Sequence, residues 1–349
     1  MLVKEKVNQA KSLLKEFDVD CWITFARESA MNGDPALAFL VGEPITWHSA
    51  FIITKAGRTC AIVGKYDQIT VEELNAYDEV IGFVEGVRKP LQSFLQQIDP
   101  RTIALNFSEG SEICDGLTHG MYLTLKSILG DIGMADRIIS AERVVSGLRE
   151  RKSTAELDAI KAAITHTQEI FALATEFIAP GKTERAIATF MREEVKQRGL
   201  ETAWDRSVCP SVFTGPATAE AHYAPTDRPV EKGHVLNMDF GVKVNGYCSD
   251  MQRTFYILEN RQDTVPLDVG NGFDTIVQAI EKSRQAMRPG VIGLDVDAVK
   301  RAVLQLRESG YVRITEEKLV IENLDALKEL VGLRTAGHED KFHNSLVLC

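Results

Sequence analysis

Basic residues are in the minority: 40 Lys and Arg stand against 50 Asp and Glu, a formal charge of −10 at pH 7. That balance lacks the cationic surplus that draws a protein to nucleic acid or to an anionic membrane surface. Long apolar runs are missing too, none approaching the ~20 residues that a bilayer-crossing helix needs. A signal peptide is not expected at the start. Its start, MLVKEKVNQAKSLLKEF, has the charge pattern of an amphipathic helix, and a cytoplasmic protein is expected. Cysteine is sparse: Cys21, Cys60, Cys114, Cys209, Cys248 and Cys349 are scattered without a C-x-x-C pair. This argues against a disulfide framework or a thiolate zinc site and leaves buried or inert thiols. Gly and Pro are not in excess, at 25 and 11, so collagenous, mucin-like and disordered chains are set aside. A length of 349 residues, 44% hydrophobic, favours two domains over one.

The first 140 or so residues alternate strand-like and helical patterns. Apolar runs at Cys21 to Phe25, Ala50 to Thr54, Thr59 to Val63 and Ile103 to Asn106 read as strands. Helices read from Lys4 to Phe17, Leu91 to Gln97 and Met121 to Leu129. An α/β layer domain over residues 1–145 is the expectation. The charged stretch Glu142 to Ser153 then leads into a long helix, with Ser153 or Thr154 as N-cap and Leu157, Ile160, Ala163, Ile164, Ile170, Phe171 and Ala174 at helical spacing. The boundary is placed near Arg143 to Lys152, with an α+β domain over 146–349.

The second part contains an internal repeat. A helix ends in Ile178-Ala-Pro-Gly181, another runs Thr183 to Gln197, and Arg198-Gly199-Leu200 closes it. Later a helix ends in Met287-Arg-Pro-Gly290, another runs Asp295 to Leu306, and Ser309-Gly310-Tyr311 closes that. Such a pattern suggests two similar halves around a shared centre, although Pro-Gly after a helix is also common punctuation.

Between the two copies lies VLNMDFGVKVNGYCSDMQRTF, Val235 to Phe255. Leu236, Met238, Phe240, Val242 and Val244 alternate with Asn237, Asp239, Gly241 and Lys243, the signature of a half-buried strand. Asn245-Gly246 then predicts a hairpin through a type I′ turn. Pairing Val244 with Tyr247 sets Asp239 opposite Gln252 and Asp250 opposite Gly241, so both carboxylates share one face. Two such charges about 6 Å apart repel by roughly 3 kcal/mol at an effective dielectric near 20. A raised pKa, a cation such as Lys243, or a divalent metal could offset this. Two solvated carboxylates on a wet face are an equally open reading from spacing alone.

The run Phe213 to Phe255, with its Gly-Pro stretch, His222, Thr226-Asp227-Arg228, Lys232-Gly233, Asp239-Phe240-Gly241, Gly246-Tyr247-Cys248-Ser249-Asp250 and Arg253-Thr254-Phe255, resembles the core of the pita-bread metallopeptidases. These include Xaa-Pro dipeptidase (prolidase), aminopeptidase P and, more distantly, creatinase and methionine aminopeptidase. Gly147 to Ile164 is similar to the family's interdomain helix, and the N-terminal part to its creatinase-type domain. The resemblance covers residues 1 to about 310. It implies a pita-bread fold with a pseudo-twofold repeat, an Xaa-Pro exopeptidase hydrolase activity, and a small peptide substrate with proline after the scissile bond. It also implies a dinuclear site, with Mn the expected metal and Zn or Co the alternatives, and a homodimer. Asp239 and Asp250 correspond to its first two ligands, and His222 to a substrate-contacting histidine. Thr254 would supply a hydroxyl behind the ligands. Gln252 stands where many relatives carry Thr.

After the second repeat the pattern departs from the family. The expected Gly-rich His segment and Glu-Pro pair have no counterpart, and His338 and His343 lie in a segment of different pattern. VRITEEKLVI, Val312 to Ile321, resembles the final ligand-bearing strand, which makes Glu316 the match for the last ligand and Glu317 its rival. The catalytic domain is thus expected to be incomplete after about 310. Asp239, Asp250 and Glu316 could hold one hard cation such as Mn²⁺ or Mg²⁺ with waters, and impaired dinuclear catalysis follows if the chain is complete. Other readings are a non-catalytic binding or structural protein on the same scaffold, a chain lacking a native segment, and a metal-free amidinohydrolase of creatinase type. Both metal-type aspartates weigh against the last.

Overall fold

The computed structural model describes residues 2–28, 33–215, 223–260 and 263–298, and the backbone of the short strands Val312–Ile314 and Leu319–Ile321. Helix α1 (Leu2–Glu16) leads into strand β1 (Cys21–Ala26), followed by α2 (Leu37–Leu40), β2 (Ser49–Thr54), β3 (Thr59–Gly64), α3 (Gln68–Glu73) and β4 (Glu79–Phe83). Then come α4 (Arg88–Ile98), β5 (Ile103–Leu105), α5 (His119–Gly130), β6 (Ile138–Ser140) and α6 (Glu142–Glu150). The six strands form one mixed sheet in the order β4-β3-β2-β1-β5-β6. Strands β1, β2 and β3 are antiparallel neighbours, and β4, β5 and β6 join in parallel.

Every residue of β1, β2 and β3 is buried, because helices cover both faces. Alternate side chains serve alternate cores. Trp22, Phe51 and Val63 pack with Val7 and Leu14 of α1 and Val145 and Leu148 of α6. Ile23, Phe25, Ile52 and Ile62 pack with Leu91 and Phe94 of α4 and Leu125 of α5. The four strands and three helices read from the sequence are present, their ends displaced by at most three residues. The edge strands β4 and β6 lack such a signal, being short and partly exposed. The charged stretch before Ser153 is itself helical, since Val144, Val145 and Leu148 share an inward face.

Helix α7 (Thr154–Phe177) starts at a capping box: Ser153 Oγ accepts from the Glu156 N–H, while the Glu156 carboxylate accepts from the Ser153 N–H at 2.6 Å. Next come α8 (Glu184–Gln197), β7 (Glu201–Thr202), β8 (Ser211–Thr214), β9 (Val235–Phe240), β10 (Val242–Val244), β11 (Tyr247–Cys248) and β12 (Met251–Tyr256). Two three-stranded sheets result, β11-β10-β7 and β12-β9-β8. Ile170 and Phe171 of α7, Ile187 and Met191 of α8, and Leu236, Met238, Phe240 and Val242 of the hairpin make a third core. Helix α9 (Leu267–Ala286) follows, and its Phe273, Ile276, Val277 and Ile280 are exposed.

Both Pro-Gly turns of the repeat place glycine at positive φ, +89° for Gly181 and +88° for Gly290. The rest of the second copy, from residue 299, lies outside the described residues, apart from the backbone of two strands. Those strands, β13 (Val312–Ile314) and β14 (Leu319–Ile321), pair antiparallel with each other. The run read as one strand thus contains two short strands, Val-Arg-Ile and Leu-Val-Ile, paired with each other. Among the cysteines, Cys21, Cys60, Cys114 and Cys209 are buried as expected; Cys248, on β11, is exposed. Among the described residues no helix is long and apolar enough to cross a membrane.

Candidate metal centre

The hairpin folds as its turn residues dictate. Asn245 and Gly246 both have positive φ, 49° and 84°, and Val244 pairs with Tyr247. Asp239 faces Gln252, Asn237 faces Thr254, and Met238 and Phe240 point into the core. At Gly241, between β9 and β10, an added Cβ would sit 1.9 Å from the Ser249 carbonyl oxygen, so the chain crosses there without a side chain. Ser249 is buried; its Oγ accepts from the Val242 N–H at 3.0 Å and lies 2.7 Å from Thr167 Oγ1 on α7. These contacts fix the segment that ends in Asp250.

Both aspartates converge on one atom. Gln252 Nε2 donates to Asp239 Oδ1 at 2.7 Å and to Asp250 Oδ1 at 2.9 Å. Burial raises the Asp239 carboxyl above its ordinary pKa; the Gln252 hydrogen bond opposes this, while the Asp250 charge and a hydrogen bond with that carboxyl reinforce it. Lys243, considered as a compensating cation, is engaged elsewhere, 3.4 Å from Glu201. Thr254 Oγ1 donates to Asn237 Oδ1 at 3.4 Å, so its hydroxyl is directed at a neighbouring amide instead of the carboxylates.

Two further networks hold the site and were not anticipated from the sequence. Tyr247 donates its hydroxyl to Glu156 Oε1 at 2.9 Å, and Glu156 Oε2 is 2.9 Å from Lys6 Nζ, with both members of this ion pair buried. Burial would raise the Glu156 pKa, but the Ser153 N–H, Lys6 and Tyr247 together hold it below its ordinary value. The tip of the hairpin is thereby tied to α1 and α7. The second network centres on buried Glu184 at the start of α8, which accepts from the N–H groups of Thr214 and Thr226 at 2.9 Å and from the hydroxyls of Tyr223 at 2.9 Å and Thr226 at 2.7 Å. It clamps both stems of the segment that contains His222. The Thr226-Asp227-Arg228 motif serves the same loop, with Arg185 on Asp227 at 2.8 Å and Arg228 on the Thr214 carbonyl at 3.1 Å.

His222, Glu316 and Glu317 lie outside the described residues, as do His338 and His343. Among the described residues no three His, Cys, Asp or Glu side chains gather where they could hold a metal ion. What the hairpin presents is a pair of carboxylates, hard oxygen donors aimed at one point and occupied there by a neutral donor. Such a pair fits a divalent cation as part of a larger ligand set. A cleft of about 670 Å³ lined by Arg192, Trp204, Asp205, Arg206 and Lys243 opens beside β7 and includes neither aspartate.

The fold is that of the pita-bread peptidases. It is similar to an Xaa-Pro dipeptidase from Bacillus anthracis at TM-score 0.63 and 18% identity, covering 88% of this chain and 78% of that one. It is also similar to an X-Pro aminopeptidase from Thermotoga maritima at TM-score 0.61 and 22% identity, covering 87% and 78%. The sequence profile of metallopeptidase family M24 matches residues 158–336, half of the chain, and the chain belongs to that family. In sequence it is 28% identical over 236 residues to a Mycoplasma genitalium protein provisionally named an Xaa-Pro aminopeptidase, covering 65% of this chain and 64% of that protein. To an uncharacterized peptidase of Staphylococcus saprophyticus it is 29% identical over 170 residues, covering 49% and 46%. The chain thus spans about half to two thirds of the length of these relatives. M24 is a family of divalent-metal peptidases.

Proposed function

We propose that this chain is a metal-dependent Xaa-Pro exopeptidase of prolidase or aminopeptidase P type, acting on small peptides with proline after the scissile bond. One observation carries the reading: Asp239 and Asp250 converge within hydrogen-bond distance of a single nitrogen. In this reading the two carboxylates hold the cation, Mn²⁺ before Zn²⁺ or Co²⁺, because an oxygen-rich donor set suits hard ions. A bound divalent ion supplies Lewis acidity and lowers the pKa of a coordinated water. Glu316 is assigned as a further carboxylate ligand. His222 is assigned to substrate, on a segment whose stems Glu184 holds. If the chain is complete, Asp239, Asp250 and Glu316 suit one ion better than two, and impaired dinuclear catalysis is the reading; a chain lacking a native segment is the alternative. A cytoplasmic homodimer of a creatinase-type domain, 1–145, and a catalytic domain, 146–349, completes the proposal.

Metal analysis combined with hydrolysis of an Xaa-Pro dipeptide, and of a longer peptide with proline second, tests it. Mn²⁺-dependent cleavage that EDTA abolishes is expected, with a loss of about a hundredfold or more in Asp239→Asn or Asp250→Asn. Cleavage indifferent to EDTA and to both substitutions would overturn the assignment. Two tightly bound ions with brisk turnover would overturn the single-ion reading and leave the peptidase reading in place. Metal binding with no cleavage of either peptide would favour the non-catalytic scaffold.

A further inference from the structure

The Gln252 amide occupies the point at which both aspartates aim. Its two N–H donors go to different carboxylates, Asp239 at 2.7 Å and Asp250 at 2.9 Å. The register makes this arrangement structural: Gln252 sits directly opposite Asp239 and two residues along the chain from Asp250, which immediately precedes β12. Lys243, which could do the same with a full charge, is committed to Glu201. From this geometry we infer that Gln252 is a built-in competitor for the cation site, a neutral donor that satisfies the carboxylates when no ion is present and must swing away before one binds. Gln252 is exposed and its side chain has three rotatable bonds, so it can leave without disturbing the core on the opposite face. The inference rests on Asp239 and Asp250 being the cation ligands.

The consequence is a weakened and tunable affinity. An amide that donates to both carboxylates must lose both hydrogen bonds for a metal to enter, and charge-assisted bonds of this kind are stronger than neutral ones. Removing the donor lifts that competition. Replacing it with an acceptor of the same shape does more, because it adds a third hard oxygen ligand on the same face.

Isothermal titration with Mn²⁺ on the full-length wild type, Gln252→Thr, Gln252→Leu, Gln252→Glu and Gln252→Thr/Asp250→Asn reads this directly. Gln252→Thr and Gln252→Leu are expected to bind Mn²⁺ about tenfold or more tightly than wild type, and Gln252→Glu more tightly again. The gain should vanish in Gln252→Thr/Asp250→Asn. As a second readout, the Gln252 side-chain NH₂ resonances of the wild type should move toward solvent-exposed values on titration with Zn²⁺. Equal Mn²⁺ affinity in wild type and all three single variants would overturn the competitor role while leaving the ligand assignment standing. Binding by Gln252→Thr/Asp250→Asn as tight as by Gln252→Thr, or no binding by any variant at millimolar Mn²⁺, would overturn the ligand assignment and the inference with it. Circular dichroism on each variant confirms the fold, and the exposed strand position suits Thr and Leu.

Discussion

The six-stranded sheet near the N-terminus and the hairpin sheets that follow use the same β geometry but differ in how many faces they bury. In the first, β1, β2 and β3 lie between two layers of helices and no residue of them is exposed. In the second, Leu236, Met238 and Phe240 of β9 are buried while Asn237 is exposed and Asp239 half-buried. A sheet closed on both sides has no room for chemistry and contributes stability through apolar area. A sheet closed on one side offers a face where charged groups keep access to ions and substrate. The largest effects of substitution are therefore expected in the first sheet on stability, and in the second on binding.

Trp22→Ala breaks the comparison most severely. Trp22 is fully buried and its indole N–H donates to Asn106 Oδ1 at 2.6 Å. Loss of that ring leaves a cavity and an unpaired amide oxygen, and a cost of roughly 3–5 kcal/mol is expected in urea unfolding. Lys6→Met comes next. It strands buried Glu156 without its cation, for which about 3 kcal/mol is expected. Because Glu156 also takes the Tyr247 hydroxyl, the same variant should speed amide exchange at the hairpin tip. Stability loss without faster exchange there would show that the two regions are not coupled through this network.

Asp34 gives a third effect, resolved by pH. Burial pushes its carboxyl up to about 6, against hydrogen bonds from Asn106 and the Ala36 N–H. An acid whose pKa is raised by folding contributes stability that is complete below its unfolded pKa, near 4, and is lost as pH rises through its folded value. The wild type should therefore lose about 2–3 kcal/mol from this group between pH 4 and pH 7. Asp34→Asn should lack that slope, which unfolding curves across the range would reveal. An unchanged slope would mean that Asp34 titrates as an ordinary carboxylate.

How much of this the sequence carried depends on the distance over which each feature is encoded. The register of the hairpin was legible because Asn245-Gly246 fixes the turn and a period of two fixes the faces. The central strands were legible from continuous apolar runs, and the Ser153 cap from its local motif. Strands β4 and β6 were not, since edge strands owe their pairing to a neighbour already in place. Glu184 was also hidden: its partners Thr214, Tyr223 and Thr226 lie 30 to 42 positions away and give no periodic signal. The role of Gln252 was out of reach for another reason, because its position was readable while the convergence of two carboxylates on its nitrogen depends on side-chain conformation.

The smallest expected effect sharpens the comparison from the helical side. Ile170 of α7 is fully buried against the hairpin, whereas Ile280 of α9 is 58% exposed. Ile170→Ala should cost about 2–4 kcal/mol, because it removes methylene groups from a packed core. Ile280→Ala removes the same atoms from a surface already wet and replaces a β-branched residue by the best helix former. Its net effect on unfolding should lie within about 0.5 kcal/mol of zero. A cost near that of Ile170→Ala would mean that the exposed face of α9 is covered in solution, and would place a packing partner on Phe273, Ile276 and Ile280. The two isoleucines, identical in chemistry and both on long helices, thus separate burial from composition as the source of stability in this chain.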